Sequence, residues 1–117
     1  MAFKGGLLYT AAAWNWLKIY DLETGTVTQV RRPVETDAEG NNIYSGLETS
    51  WLKFVGDTLY LSARPGVGTA NGLSGVLQAF YTGDDPANPQ LLGDYKWYNN
   101  RADPQNPAIM PTTIDYF

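Results

Sequence analysis

The sequence predicts an all-β, antiparallel protein built from two four-stranded units, and three observations carry that expectation. Apolar residues alternate with a period of two far more often than they recur at helical spacing. Twelve Gly and seven Pro fall mostly in clusters between the apolar runs, as turns between short strands require. The third observation is an internal echo. Phe3-Lys4-Gly5-Gly6-Leu7-Leu8-Tyr9-Thr10-Ala11-Ala12 aligns without a gap with Phe54-Val55-Gly56-Asp57-Thr58-Leu59-Tyr60-Leu61-Ser62-Ala63, sharing Phe, Gly, Leu, Tyr and Ala. A chain of 117 residues, 44% hydrophobic, suits a single domain over 1–117 that buries a core.

The elements follow in order. Leu7 to Ala12 is apolar or small throughout, as in a strand covered on both faces. From Trp16 to Tyr20, Leu17 and Ile19 alternate with Trp16, Lys18 and Tyr20, which is strand periodicity. Glu23-Thr24-Gly25 supplies a turn, and Thr26 to Arg32 is β-branched and polar like an outer strand. A loop of turn formers from Pro33 to Asn42 leads to a further strand from Gly46 to Phe54, in which Trp51 is expected in the core. The cycle then repeats. Leu17-Lys18-Ile19-Tyr20 matches Leu77-Gln78-Ala79-Phe80 once a longer loop over 64–75 is allowed. Thr26 to Arg32 corresponds to Gln90 to Trp97, and Thr49 to Phe54 corresponds to Thr112 to Phe117. Phe3, Phe54 and Phe117 mark a first repeat over 3–54 and a second over 54–117, with periods of 51 and 63 residues.

Four strands in roughly 40–50 residues is the signature of a β-propeller blade, with a β-sandwich as the alternative. With strand positions lettered A to D from the innermost outward, the chain reads B-C-D-A-B-C-D-A. Two blades alone would leave two broad apolar faces wet, and the offset separates an A strand from its own sheet. Both problems disappear if chains join head to tail in a closed ring, which removes the exposed edges. The strand containing Ile114, Tyr116 and Phe117 would then complete the next chain's sheet beside Phe3, Leu7, Leu8 and Tyr9. Propellers have about four to eight blades, so about two to four chains close the ring, and a homotrimer is preferred. The other expected partner is a different protein of the same assembly.

Asp84-Asp85-Pro86-Ala87-Asn88-Pro89-Gln90-Leu91-Leu92-Gly93-Asp94-Tyr95 resembles the turn and outer strand of LVIVD-type propeller repeats, in which an acidic residue, Pro-Ala-Asn-Pro and Gly-x-Tyr recur. Tyr20-Asp21-Leu22-Glu23-Thr24-Gly25 is similar to the corresponding turn of quinoprotein-like repeats, although the first repeat lacks Pro-Ala-Asn-Pro. The resemblance implies propeller architecture and brings no catalytic residue with it. Propellers host many unrelated functions.

The chemistry is sparse. There is no His and no Cys, which removes the familiar Ser-His-Asp and Cys-His nucleophile systems, disulfides and most zinc sites. Glu48, Asp94 and Asp115 are the carboxylates available for acid–base work, and a solvated channel accounts for them more simply. Asp37 to Asn42 spaces oxygens like a calcium loop but lacks the EF-hand Gly and the bidentate Glu, so an ordinary turn is expected. Gly66 to Gly72 lacks the Lys-Ser/Thr of a phosphate loop and joins two strands, leaving it as a contact loop. No cofactor or metal is expected. A formal charge of −4, with Arg31-Arg32 as the only adjacent basic pair, argues against nucleic acid. No signal peptide or membrane-spanning run is visible, so the cytoplasm or a virion is the expected location.

The aromatics offer the best candidates for binding. Trp14, Asn15 and Trp16 fall in a short connection between strands. Trp97, Tyr98, Asn99 and Arg101 leave the outer strand of the second repeat. Packing between blades is the commonest use of such rings, followed by a protein interface and then by sugar stacking. The expected function is therefore a non-enzymatic structural or interaction protein, such as a component of a phage virion. The alternative is a lectin with one aromatic pocket repeated around the ring.

Overall fold

The computed structural model describes residues 1–65 and 73–98, and among these there is no helix. Eight strands form two antiparallel four-stranded sheets, each a simple meander. Sheet 1 contains β1 (Ala2–Lys4), β2 (Leu7–Ala11), β3 (Leu17–Asp21) and β4 (Val27–Val30). Sheet 2 contains β5 (Leu47–Val55), β6 (Thr58–Pro65), β7 (Leu73–Tyr81) and β8 (Gln90–Tyr98). No helix among the described residues is long and apolar enough to cross a membrane.

The ungapped echo in the sequence is a shared register. Phe3 opposes Leu8 and Leu8 opposes Tyr20 in sheet 1, just as Phe54 opposes Leu59 and Leu59 opposes Phe80 in sheet 2. The outer pair follows, with Tyr20 opposite Val27 and Phe80 opposite Leu91. A turn hydrogen bond is also repeated: Leu22 N–H donates to the Gly6 carbonyl and Thr82 N–H to the Asp57 carbonyl. The hairpin turns fit their residues. Gly5 and Gly6 both have positive φ (57° and 80°), which glycine adopts without steric cost, and Gly56 (60°) opens the equivalent turn.

The A position of sheet 1 is occupied by its own chain. The three-residue β1 stands where sheet 2 has the nine-residue β5, so Leu7, Leu8 and Tyr9 already pair with Lys4, Phe3 and Ala2. A second departure concerns Trp51, which is half-buried rather than in the core. A β-bulge between Thr49 and Trp51 adds one residue to β5, and the period-two alternation changes face there. Leu47 and Thr49 point inward before the bulge and Leu52 after it, while Trp51 turns to the outer side. A further bulge at Ala79/Phe80 inserts Leu92 as an extra residue in β8.

The core lies between the sheets. Sheet 1 contributes Leu7, Tyr9, Leu17 and Ile19, and sheet 2 contributes Leu59, Leu61, Val76 and Phe80. In repeat terms these are opposite faces. Tyr9 and Ile19 correspond to Tyr60 and Ala79, which look outward from sheet 2, whereas Leu59 and Phe80 correspond to Leu8 and Tyr20, which look outward from sheet 1. The sheets thus stack front to back. The Tyr9 and Phe54 rings meet edge to face across the interface, 4.9 Å between centroids and 78° between planes. Tyr9 Oη donates to the Pro86 carbonyl at 2.6 Å, seating the Asp84–Pro89 turn on sheet 1, where Ala87 packs against the core. Burial first, and then the Asp85 carboxylate, raise the Tyr9 pKa, consistent with a hydroxyl that only donates.

The crossover between the sheets does more than connect them. Ile43 and Tyr44 drop into the core from a loop. Asn42 Oδ1 holds that loop by accepting from the Glu35 and Tyr44 N–H groups at 3.2 and 3.1 Å. Tyr44 Oη donates to Asp94 Oδ2 at 2.7 Å, and Lys96 bridges Glu35 (3.2 Å) and Asp94 (3.5 Å). Burial, reinforced by the Asp94 hydrogen bond, pushes the Tyr44 pKa up to about 12. Burial alone would lower the Lys96 pKa, but the Glu35 hydrogen bond and the charges of Tyr44 and Asp94 raise it overall.

Candidate functional site

The β2–β3 connection is the most unusual backbone in the described chain. Ala13 and Trp16 are the two non-glycine residues with positive φ among the described residues, at 55° and 68°. Such a conformation costs roughly 1–3 kcal/mol for a bulky residue. Burying an indole removes about 150–250 Å² from water, worth about 4–6 kcal/mol as an upper estimate, so packing outweighs the strain. Trp16 is 1% exposed. Its ring stands edge-on to Tyr44, and Nε1 donates to Gln78 Oε1 at 2.8 Å, pairing a buried amide of sheet 2. From β5, Thr49 Oγ1 donates to the Trp16 carbonyl at 2.6 Å, and Thr49 N–H donates to the Ala13 carbonyl at 3.2 Å.

The same turn sends Trp14 outward, 68% exposed. Its indole Nε1 donates to Glu48 Oε1, which fixes the ring's orientation. Beside it lies an open cleft of about 350 Å³ lined by Trp14, Asn15, Gln29, Arg31, Arg32 and Val34. Gln29 Nε2 donates to the Asn15 carbonyl at 2.9 Å and so ties β4 to the turn. Arg31 and Arg32 make no ion pair among the described residues. Together the cleft offers one aromatic face, amide groups and two positive charges.

The candidates named from the sequence therefore part company. Trp14 and Asn15 come together at the cleft, and Trp16 serves the core instead of the surface. Trp97 and Tyr98 end β8, while Asn99, Arg101, Ile114, Tyr116 and Phe117 lie outside the described residues. So does Asp115. Glu48 and Asp94 are engaged by Trp14 and by Tyr44 with Lys96. The Asp37 loop is an ordinary turn, with Asp37 Oδ1 accepting from the Glu39 and Asn41 N–H groups at 2.9 Å each. Among the described residues no group of three or more His, Cys, Asp or Glu could hold a metal ion. Sequence reasoning missed Gln29 and Val34 as cleft residues. It weighed the Arg31-Arg32 pair only against nucleic acid, although a basic doublet in an acidic chain was a usable signal.

Compared with protein-family models, curated proteins and solved structures, the chain matches none of them.

Proposed function

We propose that this chain is a non-enzymatic structural or interaction protein whose two sheets act as blades of a β-propeller-like ring closed by further copies. The front-to-back stacking of the sheets carries this reading. A two-fold sandwich would bury the same repeat face twice and finish the structure. Stacking opposite faces puts one face of each kind at the two ends of the described sheets, which is the condition for adding more sheets in the same sense. On this reading the ring works with another protein of its assembly, in the cytoplasm or in a virion. Native mass spectrometry tests the proposal. The expected species is a discrete multiple of 12.9 kDa, three chains being preferred. A chain that stays monomeric at every concentration overturns it.

The Trp14 cleft favours a second reading, a lectin. An indole face stacks on a sugar ring, amides bond its hydroxyls, and the positive charges of Arg31 and Arg32 select a saccharide that bears a carboxylate. Polyuronates should quench tryptophan emission, with the effect lost in Trp14→Ala and in Arg31→Ala/Arg32→Ala. Equal quenching by neutral glycans, or none by either, removes this reading.

A further inference from the structure

Sheet 1 carries an unbroken apolar row on its outer face. Phe3, Leu8, Tyr20 and Val27 oppose one another in register across all four strands. Phe3 is 66% exposed and Val27 52%. The equivalent row in sheet 2 is Phe54, Leu59, Phe80 and Leu91. There Leu59 and Phe80 are buried and Phe54 is partly buried, because that row lies on sheet 1. One copy of the row thus has a known covering surface within the same molecule, and the structure identifies its key contact: Phe54 meets Tyr9 edge to face.

The surface equivalent to that covering surface is also present, on the far side of the molecule. The inner face of sheet 1 presents Tyr9, Ile19 and Leu17. Their counterparts on the outer face of sheet 2 are Tyr60, Ala79 and Leu77. Here they line a shallow groove of about 290 Å³ with Gly93, Asp94 and Tyr95. The β5 bulge adds Trp51 to this side, in line with Ser62, Leu77 and Tyr95. One molecule therefore carries both halves of an interface that it already forms once between its own sheets.

We infer that the groove over Tyr60, Leu77 and Tyr95 receives the Phe3 row of a second copy of this chain, with Phe3 of one copy edge-on to Tyr60 of the next. The inference rests on the proposed ring and names its junction. It fixes the contact as heterologous, outer face of sheet 2 to outer face of sheet 1, and never sheet 1 to sheet 1. The junction differs from the internal interface in one predictable respect. Tyr9 reaches the long Asp84–Pro89 turn of sheet 2, whereas Tyr60 would face the shorter turn after β3, where Gly25 closes back on Asp21. It is thus expected to be the weaker of the two interfaces and to open first on dilution.

The absence of Cys makes a clean test possible. Phe3→Cys and Tyr60→Cys chains are prepared separately, mixed and treated with a short bis-maleimide, with Tyr95→Cys as a second groove probe if Tyr60→Cys folds poorly. The expected result is a two-chain product only in the mixture, together with loss of the oligomer to the single-chain mass in Phe3→Asp, an exposed substitution that leaves the fold intact by circular dichroism. A Phe3→Cys chain that cross-links to itself overturns the inference by showing two-fold pairing. An oligomer that survives Phe3→Asp and gives no mixed product also overturns it, while the ring stands on some other junction. A wild-type chain that is monomeric throughout removes the ring and the junction together.

Discussion

Tyr20 and Phe80 hold the same place in their sheets, opposite Leu8 and Leu59, yet Phe80 is buried while Tyr20 is only partly covered. Sheet 2 is built of eight- and nine-residue strands, and sheet 1 of strands of three to five. Sheet 1 compensates by being fastened to its partner at several points: Lys4 to Asp57, Tyr9 to Pro86, Trp16 to Gln78, and Ala13 and Trp16 to Thr49. The repeat thus sets where each side chain stands within a sheet, and the neighbouring sheet sets what that side chain contributes.

The sharpest way to break this comparison is truncation at equivalent positions. Phe80→Ala should cost about 3–5 kcal/mol in urea unfolding, as large-to-small core changes do. Tyr20→Ala in dilute single chains should cost about 1 kcal/mol or less. Equal costs in the dilute chain would show that the outer face of sheet 1 is already as well packed as the interior. If the difference narrows as protein concentration rises, the outer face becomes covered on association.

A smaller effect probes the link between the sheets. Thr49→Val keeps the shape of the side chain and removes the 2.6 Å bond to the Trp16 carbonyl, and should cost about 0.5–1.5 kcal/mol. A red shift in tryptophan emission should accompany it. An unchanged unfolding midpoint would mean that the left-handed turn is held by Trp16 packing alone.

High pH tests the crossover loop. The Tyr44 pKa is raised in the folded chain to about 12, so the unfolded state loses that proton first, near the ordinary tyrosine value of about 10. Stability contributed by neutral Tyr44 is therefore complete below about pH 10 and declines as pH rises toward 12. The raised Lys96 pKa acts in the same direction: its contribution is complete below the ordinary lysine value and is lost as pH rises through the folded one. Urea midpoints measured from pH 9 to 11.5 should fall in the wild type and fall less steeply in Tyr44→Phe. Parallel slopes would discount the Tyr44–Asp94 bond. The smallest effect belongs to Lys4→Ala, which breaks a half-exposed ion pair at 2.7 Å and should cost under about 1 kcal/mol, mostly screened by salt.

Much of the architecture was legible in the sequence because β periodicity and glycine turns are local. The gapless match of residues 3–12 with 54–63 foretold a shared register, since hairpin length and alternation together determine which residues oppose one another. The match of residues 17–20 with 77–80 held across a long loop for the same reason. The candidate site was less legible. Trp14 and Trp16 are two residues apart and would share a face in a regular strand. The positive φ values at Ala13 and Trp16 break that rule and send the rings to opposite destinations.

By itself, the sequence determined the all-β class and the register that residues 3–12 share with 54–63, because these depend on spacing along the chain; it did not show that β1 fills the A position of sheet 1. Only the tertiary structure decided which face of each sheet became interior, that the β5 bulge moved Trp51 outward, and that Arg31 and Arg32 came to lie beside Trp14. Those outcomes depend on which surfaces meet across the molecule. Alternation names two faces for every strand, and a second sheet has to arrive before one of them becomes the core.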